Sequence, residues 1–182
     1  GISNCAATAI SSFVNRNIML QQGDYYLVQT ANSPLKAVSL DPDTNFYFRL
    51  VSNSDGLFML FYDFTTIENG KITGKGKRRL VLQNINSEKA IVNVKETLAA
   101  GDIDTFKIYS PAGNDKYLLQ RGEFFIGVGA DFGLITGKKS EVTSNPDQFL
   151  FTIKLAEEVL AAIGGQIETD LALLEATFAQ QV

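Results

Sequence analysis

The chain of 182 residues has no histidine, no tryptophan and a single cysteine. Without histidine there is no Ser-His or Cys-His nucleophile and no imidazole general base. One cysteine, Cys5, excludes an internal disulfide framework and leaves almost nothing to hold zinc or an iron–sulfur cluster. Neither a metal site nor a cofactor is therefore expected, and the chain reads as a non-enzyme. No stretch approaches the roughly 20 apolar residues that cross a membrane as a helix, so no transmembrane segment is expected. What remains, 45 % apolar and 20 % charged residues, suits one domain with an ample core and a short appendage.

Residues 1–16 are small and polar, with Ala6, Ile10, Phe13 and Val14 at helical spacing, which fits an N-terminal arm or short helix. A start at Gly1 rather than Met suggests processing. Ile2-Ser3-Asn4-Cys5 can be read as the trace of a lipoprotein cleavage site, although a lone thiol near a terminus is the ordinary reading. The compartment is left unassigned, with a secreted or cell-surface setting preferred to the cytoplasm.

From Ile18 to Leu155 short runs rich in β-branched and aromatic residues recur between Gly, Asn, Asp, Ser and Pro clusters, the pattern of an all-β domain. Twelve runs stand out: 18–21, 25–31, 35–40, 46–52, 57–64, 79–83, 90–95, 106–109, 116–120, 124–128, 133–136 and 149–154. Asn53-Ser54-Asp55-Gly56, Pro111-Ala112-Gly113-Asn114-Asp115, Asn32-Ser33-Pro34 and Ala130-Asp131-Phe132-Gly133 supply turns between them. Gly127-Val128-Gly129 falls inside such a run, so a bulge or close packing explains it better than a nucleotide loop.

An internal repeat organises these runs. LQQGDYYLVQTANSPL at 20–35 matches LQRGEFFIGVGADFGL at 119–134 at a constant offset of 99. Leu20, Gln21, Gly23 and Asp24 align with Leu119, Gln120, Gly122 and Glu123, and Tyr25-Tyr26 with Phe124-Phe125. A looser middle copy runs from Leu57 to about Ser110, and the three units close on runs that start at Phe46, Phe106 and Phe149.

On these residues the stretch 17–155 resembles the β-trefoil superfamily, which spans interleukin-1-like cytokines, fibroblast growth factors, ricin-type lectins, Kunitz soybean-type inhibitors and mycocypins. The resemblance implies twelve short strands with pseudo-threefold symmetry. A lipocalin-like meander barrel is the alternative architecture. Ricin-type lectins carry Gln-x-Trp near the end of each unit, whereas this chain offers only Gln148-Phe149-Leu150. Soybean-type inhibitors place a base in the loop after the fourth strand, and Ser52-Asn53-Ser54-Asp55-Gly56 has none. Mycocypin-like inhibition and cytokine-like signalling stay open.

Residues 156–182 form a C-terminal extension without proline. Leu160, Ile163, Ile167, Leu171, Leu174 and Phe178 recur every three or four residues, one face of an amphipathic helix interrupted at Gly164-Gly165. That face either packs on the domain, against Ile10, Phe13 and Val14, or mediates self-association. Of the 20 acids, five lie beyond Leu155 together with none of the 16 bases, so residues 1–154 carry a balance of +1.

One segment stands out in that neutral domain. Gly70-Lys71-Ile72-Thr73-Gly74-Lys75-Gly76-Lys77-Arg78-Arg79 holds five cations and no acid, and its glycines predict a mobile loop. Lys71, Lys75, Lys77, Arg78 and Arg79 are the candidate ligand-binding residues, for an anionic partner. The near-neutral remainder argues against duplex nucleic acid, and the absence of aromatics within the segment argues against single strands. Asp24, Asp41, Asp43, Asp63 and Glu123 lie in or beside turns, which accounts for them without catalysis. The expected function is a binding module that recognises a protein or a glycan through exposed loops. The alternatives are a barrel-type carrier of an apolar small molecule, and a protease inhibitor or cytokine-like ligand. A carrier needs a hollow interior, whereas a trefoil fills it with side chains such as Leu20, Leu27, Phe48, Phe106 and Phe151.

Overall fold

The computed structural model describes residues 9–30 and 34–164. It is an all-β domain with short helical pieces. The strands are β1 (Asn17–Gln22), β2 (Tyr25–Val28), β3 (Lys36–Val38), β4 (Phe48–Ser52), β5 (Phe58–Glu68), β6 (Lys71–Gln83), β7 (Ile91–Lys95), β8 (Lys107–Tyr109), β9 (Lys116–Arg121), β10 (Phe124–Val128), β11 (Leu134–Gly137) and β12 (Phe151–Leu155). Each of the twelve apolar runs overlaps one of them. A 3-10 turn at Ile10–Phe13 precedes β1, α1 (Lys139–Ser144) and a second 3-10 turn lie before β12, and α2 (Ala156–Ala162) follows it. No helix among the described residues is long and apolar enough to cross a membrane.

All ladders are antiparallel and run as one open path, β11-β10-β9-β12-β1-β4-β5-β6-β7, with β2 and β3 added at β1 and β8 at β9. The repeat has a visible cause. Gly23 and Gly122 both take left-handed backbone, φ +60° and +56°, at the β1–β2 and β9–β10 turns. Gln21 and Gln120 each donate a side-chain N–H to the carbonyl of that glycine, at 3.0 and 2.8 Å. The strands leave these turns in one register, Gln21 opposite Tyr26 and Gln120 opposite Phe125. The Leu-Gln-x-Gly motif is thus a turn with its own side-chain brace.

Three cross-strand contacts, each holding a buried phenylalanine, recur along the chain. Ile18 stands opposite Phe48 and Tyr117 opposite Phe151, while Phe58 and Phe106 form an isolated bridge with N–H to carbonyl distances of 2.7 and 2.8 Å. The phenylalanines in these contacts are Phe48, Phe106 and Phe151, all fully buried, and Phe48 and Phe151 also align in the sequence at an offset of 103. Two residues along each strand, Leu50 faces Leu60, Ile108 faces Leu119 and Ile153 faces Leu20, and all six are buried. With Leu27 they belong to one continuous apolar core. Gly127 sits tight against a neighbouring backbone, since a Cβ there would lie 2.6 Å from the Gln148 carbonyl oxygen.

α2 packs against β1 and β12. Ala156 and Leu160 have no exposed surface, and Ile10, Val14, Val159 and Ile163 pack on the same core around buried Phe13. This corrects the self-association face at its first member: Leu160 is spent within the domain, because the same apolar spacing finds a core in cis. Ile163 is half-buried. Gly164, at φ +146°, follows the helix against Pro42. Ile167, Leu171, Leu174 and Phe178 lie outside the described residues, as do Cys5 and the Asn32-Ser33 turn. Leu160→Ala is expected to cost about 2–5 kcal/mol, the range for emptying a fully buried leucine site, read as a lower urea midpoint at unchanged slope.

Candidate functional site: a basic two-stranded arm

β5 and β6 are the longest strands, with 11 and 13 residues. β4 pairs with β5 only at Phe58–Phe61, and β7 pairs with β6 only at Arg79–Gln83. Beyond these ladders, among the described residues, Tyr62–Glu68 and Lys71–Arg78 pair only with each other and form a projecting two-stranded arm. The candidate cations Lys71, Lys75, Lys77, Arg78 and Arg79 therefore lie on a strand, which corrects the expected mobile loop. The connection is two residues long: Asn69 and Gly70 both have positive φ, +53° and +75°, the conformation of a tight hairpin turn that follows the strand twist. Asn69-Gly70 is the signal in the sequence that specifies this hairpin.

The glycines within β6 have other work. Gly76 stands opposite Phe64, whose ring occupies the space a Cβ would need, so the ring lies flat across the partner strand. A register irregularity between Thr66 and Ile67 twists the arm near its tip.

The arm is tied to the core through aromatic rings. Phe46 contacts Phe48 at 5.0 Å edge-on and Tyr62 at 4.5 Å, and Tyr62 is 6.4 Å from Phe64. The Arg78 guanidinium sits 4.6 Å over Phe64 and ends that chain. On the opposite face, Lys77 and Arg79 flank Phe61 at 4.9 and 5.4 Å. Burial raises the Tyr47 phenol pKa, with smaller contributions from Tyr62 and Asp63 at the base of the arm.

The five cations divide by role. Arg79 is half-buried and pairs with Asp104 at 3.1 Å, which fastens β6 to the segment entering β8. Its Nε is buried without a partner. Lys71, Lys75, Lys77 and Arg78 make no ion pair among the described residues. Lys71, Lys75 and Lys77 are exposed. Lys75 and Lys77 border an open groove of about 500 Å3 with Asp63, Thr65, Phe64 and Gly76. At the tip Ile67 and Ile72 face each other across the hairpin, 62 % and 59 % exposed, too far out for the core to cover. Four cations with no ion pair among the described residues, beside apolar surface, can hold an anionic partner that also offers apolar contact.

The edge of β6 is left open by a clamp. Asp102 accepts from the Lys95 ammonium at 2.6 Å and from the Ala99 N–H at 2.8 Å, which turns the chain aside at the end of β7. The Lys95 hydrogen bond, then the Ala99 one, holds the Asp102 carboxyl below the usual carboxylate range against the opposing effect of burial.

A second exposed feature lies elsewhere. Phe132 takes left-handed backbone, φ +68°, uncommon for a bulky residue, and its ring meets Tyr25 at 4.9 Å on the surface. The turn is held by Asp131, which accepts from the Gly133 N–H, and by the Phe132 carbonyl, which accepts from Ala37 N–H. Gln22 and Gln148 line the adjoining cleft. Nothing in the sequence pattern separates these two aromatics from core residues. Asp41, in turn, accepts from the Asp43 N–H at 2.8 Å, the structural turn role assigned to it.

No family model matches the chain, and no curated protein matches it.

Gly76→Ala is expected to displace the Phe64 ring and cost the arm about 1–3 kcal/mol, as overpacking does. Faster hydrogen exchange of the amides at 71–78 would report it, and the cost should shrink in a Phe64→Ala background. For Asp102, a depressed carboxyl stabilises the fold above its unfolded pKa, near 3.8, and that contribution disappears as pH falls through the folded value. Asp102→Asn is therefore expected to lower the urea midpoint at neutral pH and to flatten its fall below pH ~4.

Proposed function

We propose that the chain is a non-catalytic binding module of β-trefoil architecture that docks an acidic protein surface through the β5–β6 arm. The trefoil reading is supported by the Phe58–Phe106 bridge. It connects β5 to the entrance of β8, so that β1, β4, β5, β8, β9 and β12 can be followed as a ring of six strands. The hairpins β2–β3, β6–β7 and β10–β11 then stand outside that ring, one per unit. The shared burial of Leu20, Leu27, Phe48, Phe106 and Phe151 favours this filled interior over the hollow one a carrier of apolar molecules needs.

The observation that carries the binding reading is the arm: Lys71, Lys75, Lys77 and Arg78 without ion pairs among the described residues, next to exposed Ile67 and Ile72. Charge alone would serve a sulfated glycan equally well. The isoleucine pair adds apolar contact that suits a protein. Inhibition of a protease or a cytokine-like role would be particular forms of such recognition. A neutral glycan is the second reading, favoured by the exposed Tyr25–Phe132 pair beside a cleft with two glutamines.

Protein pull-down and a glycan array, each with wild type and Lys75→Glu/Lys77→Glu, test the assignment. Acidic protein partners are expected to be retained by wild type and to weaken at least about tenfold in the variant (~1.4 kcal/mol), more at low salt than at high. Arg79 is left unchanged because it fastens the arm. Equal binding by both proteins would remove the arm from the site. Binding to neutral glycans that Phe132→Ala abolishes would move it to the aromatic pair.

A further inference from the structure

Resting on the reading of the arm as an anion-binding site, we propose that its outer β6 edge, from Lys71 to Arg78, receives an extended acidic peptide as an added β-strand, in line with β7. Every second residue of a strand turns its N–H and carbonyl outward, and an edge without a neighbour leaves those groups available for pairing. β7 occupies the β6 edge as far as the Arg79–Lys95 pair. There the Asp102 clamp diverts the chain, and no strand among the described residues pairs with the edge from Lys71 to Arg78.

Side chains determine what kind of strand fits. Lys75 and Lys77 share one face and, two residues apart along an extended strand, are separated by about 6.6–6.8 Å. The acids of a peptide that alternates acidic and uncharged residues have the same spacing, so two of them can lie beside Lys75 and Lys77 at once. Arg78, on the other face over Phe64, remains for an acid on the opposite side of the added strand. Charge also selects between the two free edges. The β5 edge from Tyr62 to Glu68 carries Asp63 and Glu68 and no cation, so it repels the strand that the β6 edge attracts. A second copy of the chain, laid edge to edge along β6, would oppose the same four cations and be repelled, as like charges across a strand pair are.

The test uses the full chain and three probes: a peptide of about seven residues alternating glutamate and threonine, the same peptide N-methylated at alternate backbone nitrogens, and a sulfated oligosaccharide. The plain peptide is expected to bind at least about tenfold tighter than the methylated one, to lose at least about tenfold with Lys75→Glu/Lys77→Glu, and to protect alternate amides of 71–78 from hydrogen exchange. Equal binding of both peptides, or binding of the oligosaccharide alone, overturns strand addition and leaves the arm as an anion site. Binding of none of the three overturns both. Protection confined to 62–68 overturns the choice of edge, and a doubled mass in light scattering without peptide makes a second copy the occupant and overturns the peptide.

Discussion

Phe48, Phe106 and Phe151 stand opposite β1, β5 and β9 with no surface left to solvent. Emptying a site of this kind costs about 3–5 kcal/mol, comparable to a large fraction of a domain's whole stability. Their positions fix much else. The leucine and isoleucine pairs two residues along are buried because the phenylalanines set which face of each strand turns inward. A one-residue slip in any unit would turn that whole face to water. The braced turns at Gly23 and Gly122 hold the register of β1 with β2 and of β9 with β10. β5 and β6 lack that motif and keep register through the Phe58–Phe106 bridge and their own long ladder.

That difference explains what was legible in the sequence. The runs that became strands are those whose apolar residues the core needs, and burial writes a period into them. The outer arm alternates half-buried and exposed positions, with Tyr62 and Phe64 half-buried on β5 and Gly74, Gly76 and Arg78 on β6, but on β6 that alternation falls on glycines and an arginine, so charge and glycine made a strand read as a loop. The information was present in a different form, in Asn69-Gly70 and in the pairing of Phe64 with Gly76, both of which specify a hairpin through backbone and ring geometry. The candidate cations were legible as residues but not as roles: only the structure separates Arg79, held by Asp104, from the four cations that have no ion pair among the described residues. Leu160 shows the same limit. Helical spacing announces an apolar face without saying whose core it meets.

The apolar core is continuous, and the exposed cations lie beyond it on the arm. The β5–β6 hairpin is longer than any other pair of strands and runs past the strands that would cover it. Such an extension is costly to keep ordered, since two strands alone are marginal in water. The contacts running from Phe48 through Phe46, Tyr62 and Phe64 to Arg78 supply the order that burial does not. An arm braced in this way is preorganised, and a partner that pairs with it has less ordering left to impose.

The same lysines that would draw a partner also guard the edge. An uncharged ribbon with both sides open would pair with its own copies, and lysine on the edge is a common defence against that. Here the defence is unevenly distributed: β6 carries the cations and β5 the acids Asp63 and Glu68. Two copies meeting β6 to β6 repel, and two meeting β5 to β5 repel as well. A β6-to-β5 meeting brings Lys75 and Lys77 towards Asp63, but Asp63 already lies directly opposite Lys77 within its own arm. Asp63 thus stands nearer its own arm's cations than those of a second copy, while Lys71, Lys75 and Lys77 stay exposed. An edge protected from its own kind by charge remains open to a strand of opposite charge, so protection and selectivity come from the same residues.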